Sequence, residues 1–167
     1  MADVFDVANF FITVENRREQ GATTNLRLNK LLFFTQVLSL LEHGTPIFCD
    51  EFEAWDYGPV IPKVYHEYKK HKNKPIPTPN EEFDLSSFSG EEIRLLFDIY
   101  SLYKNTTTAG LVELSHYEDG PWCTARKSEN KNTVISLDAI KSFYGPYYNL
   151  RKPPRRSDQL LASIPEG

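Results

Sequence analysis

The stretch TTNLRLNKLLFFTQVLSLLEHG, residues 23–44, restricts what this chain can fold into more than any other. Leu28, Leu31, Leu32, Thr35 and Leu38 recur at helical spacing. Phe33, Phe34, Val37, Leu40 and Leu41 carry the apolar surface well past one stripe. A helix that is apolar on several sides must be covered on several sides, so this one is predicted to be central. Gly44 stands where a left-handed residue closes such a helix.

The remaining periodicity supplies its cover. Val4, Val7, Phe11 and Val14, flanked by Ala8 and Ile12, predict a first helix with Asp3 as N-cap, and Gly21 is expected to mark its end. Residues 47–52 alternate weakly and read as extended. YGPVIP reads as a turn, because Gly58 tolerates positive φ and Pro59 restricts its predecessor. Pro62 suits the first turn of the next helix, which turns Val64, Tyr65 and Tyr68 inward. A proline-rich connection follows, with a short strand expected around Ile76.

Ser89 and Glu92 form a capping box, which starts a helix carrying Ile93, Leu96, Phe97, Tyr100 and Tyr103. Thr107 or Thr108 caps another with Leu111, Val112, Leu114 and Ser115, and Pro121 opens a short helix through Arg126. Ser136 caps the last, which buries Leu137, Ile140 and Phe143 or Tyr144. The expected fold is mainly α: one compact domain of about seven helices over residues 1–150, with a minor short β element. Residues 151–167 form a basic, flexible C-terminal tail.

Chain length and charge exclude several classes of function. The 167 residues fit one domain, and no run of 18 apolar residues is available to cross a membrane. The opening MADVFDVANF lacks the basic and apolar regions of a secretory signal. Two cysteines, Cys49 and Cys123, are too few for a disulfide framework, so a cytoplasmic protein with reduced thiols is expected. The net charge of −4 divides into −6 for residues 1–150 and +2 for the tail. An acidic body of this kind argues against nucleic acid as a partner, although the basic tail offers a few phosphate contacts.

No phosphate-binding glycine loop, nucleophile elbow or metal-ligand spacing occurs, so no cofactor and no metal are expected. One arrangement sketches an enzyme. Cys123 lies in the first turn of a predicted helix, His116 lies seven residues earlier, and Glu118 or Asp119 is available to orient the histidine. The alternative is that His116 braces the turn and Cys123 packs as a small apolar residue.

A different surface is suggested by DEFEAWDYGPVIPKVYHEYKK, residues 50–70. Trp55, Tyr57, Tyr65 and, further on, Trp122 offer large rigid contact area, or else fill the core. The carboxylates Asp50, Glu51, Glu53 and Asp56 would form an acidic rim suited to a basic partner surface.

Three stretches also resemble, in order, the successive motifs of the Panacea domain, found in SocA-type antitoxins and in proteins described as phage-associated. The K-L-x-x-F helix is carried by Lys30, Leu31 and Phe34. The E-A-W-x-Y-G-P-V-x-P-x-V-Y motif runs over Glu53–Pro59, Val60, Pro62, Val64 and Tyr65. The L-x-x-L-S-H…P-W-x-x-A-R motif lies on Leu111, Leu114, Ser115, His116, Pro121, Trp122, Ala125 and Arg126. The likeness spans about residues 5–148.

The resemblance implies a helical domain that binds and neutralises a cognate protein toxin without catalysis. One relative hands its toxin to an ATP-dependent protease, so a proteolytic adaptor role is a further expectation. Relatives often carry an added N-terminal segment for DNA; here the first helix begins almost at Met1, and autoregulation through DNA is not expected. The residues expected to contact a partner are Glu53, Trp55, Asp56, Tyr57, Pro59, Tyr65, His116 and Trp122.

Overall fold

A computed structural model describes residues 1–18, 22–80 and 84–150, with side chains of the last helix as far as Tyr148. The expectations for Gly21 and for the tail at 151–167 lie outside the described residues. Seven α-helices and three short strands are present among them: α1 (Val4–Asn16), α2 (Asn25–Glu42), β1 (Phe52–Trp55), β2 (Gly58–Val60), α3 (Pro62–Tyr68), α4 (Gly90–Tyr103), α5 (Thr108–Ser115), α6 (Pro121–Arg126), β3 (Val134–Ile135) and α7 (Leu137–Leu150). The fold is mainly α with a minor β element, as the periodicity predicts.

The α2 helix is the spine. Every residue from Leu28 to Leu40 is buried, and α1, α4, α5 and α7 pack around it. A helix buried all round cannot leave polar side chains unpartnered, since each would cost desolvation energy without return. Thr35 donates to the Leu31 carbonyl of its own helix, and the others tie down backbone outside it. Gln36 Nε2 donates to the Phe48 carbonyl and its Oε1 accepts from Ile47 N–H, both at 3.0 Å. Ser39 Oγ donates to the Thr45 carbonyl at 2.8 Å. Arg27 donates to the carbonyls of Tyr103 (2.9 Å) and Thr106 (2.6 Å) and pairs with the fully buried Glu15 of α1. The polar residues of α2 therefore fix the positions of its neighbours while the apolar ones supply the burial.

The capping residues behave as their chemistry requires. Asp3, Thr24, Ser89 and Thr107 accept from first-turn amides, and the Ser89–Glu92 capping box closes in both directions. Gly44 has φ of +74°, the left-handed residue that ends α2.

Four local expectations are corrected. The Gly58–Pro59 dipeptide is not a turn but the start of strand β2, which pairs antiparallel with β1 in the register Trp55↔Gly58, Ala54↔Pro59, Glu53↔Val60. The turn is the two-residue step Asp56–Tyr57 before it. Proline fits there because β2 is an edge strand of the sheet β2-β1-β3 and needs no donor on its outer side. Ile76 is not in a strand; it is buried, and its N–H donates to the Thr23 carbonyl at 2.7 Å. Phe97 and Leu137 are partly exposed, and Leu95 and Ile99 take the inward face of α4 instead.

Candidate functional site

The β1–β2 hairpin sets the geometry of the site. Asp56 and Tyr57 both keep negative φ, so Gly58, at φ +107°, supplies the left-handed residue that turns the chain back into β2. Glycine is required there for a second reason. A Cβ on Gly58 would stand 2.6 Å from Lys30 Cε and 2.8 Å from Ser115 Oγ, closer than van der Waals contact allows. The hairpin thus sits directly on α2 and on the end of α5.

Lys30 holds it there. Its side chain is fully buried, and Nζ donates to the Pro59 carbonyl at 2.8 Å. One position earlier, Asn29 Oδ1 accepts from Ile61 N–H at 3.0 Å. The outer edge of β2 is in this way satisfied by side chains of α2, which blocks pairing with a further strand. Lys30 has no carboxylate partner among the described residues, and burial pulls its ammonium down to about 7.

The other face of the hairpin rests on α6. Trp122 Nε1–H donates to the Trp55 carbonyl at 2.8 Å, and Arg126, one turn on, donates to the Ala54 carbonyl and pairs with Asp56 at 2.9 Å. His116, the C-cap of α5, stacks flat on Trp122 with ring centres 3.7 Å apart and planes 4° from parallel. Burial lowers the His116 pKa, the Lys30 charge lowers it further, and a backbone hydrogen bond with Tyr57 acts in the opposite direction. Trp55 donates its own indole N–H to Glu53 at 2.7 Å and packs edge-on against Tyr65 of α3.

All eight residues expected to contact a partner therefore gather on or around one hairpin, but in two layers. Asp56 and Tyr57 form the exposed tip, and Tyr57 is 70% exposed. Glu53, Trp55, Tyr65, His116 and Trp122 are half-buried and brace that tip, while Pro59 is buried and gives its carbonyl to Lys30. Lys30, Ser115 and Arg126 position the tip without appearing among the expected contacts. Arg126 was accessible from sequence, because it lies four residues after Trp122 and so shares its face of α6.

The acidic rim is largely satisfied internally: Asp50 pairs with Lys63 at 2.7 Å, Glu53 accepts from Trp55, and Asp56 pairs with Arg126. Beside the hairpin lies an open groove of about 650 Å³ between the start of α2, the tip, Tyr65 and the loops at Lys72 and Lys131. The His116 imidazole is engaged with the Trp122 ring, and no hydrogen bond among the described residues joins it to Cys123. No group of side chains suited to a metal ion occurs among the described residues, and no helix there is long and apolar enough to cross a membrane.

Comparison with known proteins gives two matches. The family described as Antitoxin SocA-like, Panacea domain, matches residues 28–123, which runs from α2 through the hairpin to α6. The chain is also 28% identical over 158 residues to Antitoxin SocA of Caulobacter vibrioides (strain NA1000 / CB15N), covering 85% of this chain and 83% of that protein. No solved structure matches it.

Proposed function

The chain belongs to the SocA-like antitoxin family defined by the Panacea domain, and from that membership we propose that it neutralises a cognate protein toxin by binding it directly through the hairpin tip. The observation that supports this most is Tyr57, a large aromatic left 70% exposed at the tip of a hairpin fixed from both sides. An exposed tyrosine costs little conformational entropy to bury when its backbone is already held, which suits a binding anchor. The protein then acts by occupancy, without catalysis. The finer version is an adaptor that presents the bound toxin to an ATP-dependent protease.

The test is co-expression with the protein encoded beside it, read as growth. The intact chain and a Cys123→Ala variant should both restore growth, and Tyr57→Ala should not, while remaining folded. Loss of rescue with Cys123→Ala would point instead to thiol chemistry. Toxin half-life with and without the host's ATP-dependent proteases separates delivery from masking: masking leaves it unchanged.

A further inference from the structure

Resting on the antitoxin reading above, we propose that the groove beside the hairpin receives a short, extended, acidic segment of the partner protein, with an aromatic residue seated against Trp55 and Tyr65. Its charged lining is Asp56, Lys72, Arg126 and Lys131, three cations against one carboxylate. Asp56 and Arg126 already pair with each other. The charge left to a ligand is that of Lys72 and Lys131, which are exposed and make no ion pair among the described residues. Of the carboxylates expected to form an acidic rim, Asp50, Glu53 and Asp56 each have a partner within the chain, and Asp56 alone lines the groove.

The groove is also prebuilt. Lys72 and Asn132 are the non-glycine residues with positive φ among those described, at 54° and 57°, and both line it. Asparagine adopts such a φ readily, but Lys72, at φ 54° and ψ −123°, is held there by the turn around it, which the Lys72 N–H closes on the Lys69 carbonyl at 3.0 Å. Binding then spends little on ordering the Lys72 turn.

Two observations narrow the occupant. The outer edge of β2 is filled by Asn29 and Lys30, so the bound segment does not add a strand to β2 and is held there by side chains. Residues 1–150 carry a net charge of −6, so a long phosphate polymer would meet repulsion beyond the groove, whereas a short carboxylate segment meets only the lysines.

The experiment measures fluorescence anisotropy of a fluorescein-labelled peptide of alternating tyrosine and paired glutamates, with its glutamine counterpart as control. The full chain should bind the glutamate peptide, more weakly as salt rises, and at least about tenfold more tightly than the glutamine peptide. A Lys72→Glu, Lys131→Glu double variant should lose binding by a similar factor with an unchanged melting temperature, and Lys131→Glu alone should lose part of it. Equal binding of the two peptides, undiminished binding by the folded double variant, or tighter binding of a thymidine oligonucleotide would each overturn the proposal. The growth assay keeps the two readings apart. Rescue by the double variant but not by Tyr57→Ala removes the groove and leaves the antitoxin; failure of the intact chain removes the antitoxin reading, while the peptide result still decides the groove.

Discussion

Lys30 and Gly58 illustrate how two residues from distant parts of the chain come to depend on each other. The lysine reaches the Pro59 carbonyl only because the neighbouring residue has no side chain. Gly58→Ala combines a close contact with an unfavourable φ of +107°, and should cost about 2 kcal/mol or more by urea denaturation. Lys30 leaves a mark on the pH dependence. In the unfolded chain it stays protonated to near its ordinary 10.5, but in the folded chain only to about 7. Between those values unfolding takes up a proton, so stability rises with pH by up to about 1.4 kcal/mol per unit. Below 7 both states are charged and the contribution is flat. Denaturation of the intact chain and of Lys30→Met at pH 7 to 9 should show the slope in the first and its absence in the second.

At the scale of elements, the fold is joined by contacts between a side chain on one element and backbone on another. Trp122 on α6 donates to the carbonyl of the last residue of β1, and Trp122→Phe removes that hydrogen bond. The expected cost is about 1–2 kcal/mol, with the tip losing protection in hydrogen exchange before the helices do. Where α1, α2 and α4 meet, Glu15 is fully buried against Arg27, which also holds carbonyls at and just beyond the end of α4. Glu15→Ala strands a buried guanidinium and should cost about 3–5 kcal/mol in the same denaturation assay. Both effects come from losing one partner of a desolvated pair.

For the molecule as a whole, stability and recognition are carried by separate layers. Tyr57 is 70% exposed at the tip, so Tyr57→Ala should change stability by no more than about 0.5 kcal/mol. Its loss from a partner complex should cost about 2 kcal/mol or more, measured by titration calorimetry with the purified toxin. The half-buried aromatics behind it serve the opposite purpose. Replacing His116 or Trp122 should disturb folding and binding together, since those rings hold the tip against α5 and α6.

The amino-acid sequence by itself determined the helical elements, their caps and the central place of α2. These follow from local rules: the spacing of Leu28, Leu31, Leu32 and Leu38, the reciprocal Ser89–Glu92 bonds, and the left-handed Gly44. It also brought Trp55, Tyr57, His116 and Trp122 under suspicion as a set. What only the tertiary structure decided is which of them face outward and what charge surrounds them. Pro59 reads locally as a turn residue, yet an edge strand with its carbonyl taken by Lys30 accepts it without loss. Phe97 fits the inward period of α4 but lies at the margin of its covered face, where its ring meets Phe10 of α1 edge-on and stays 43% exposed. Asp50 and Asp56 read as free because their partners, Lys63 and Arg126, are assigned only when α3 and α6 dock. Local structure depends on residues within a turn of one another, whereas exposure and charge pairing depend on contacts between residues far apart in the chain.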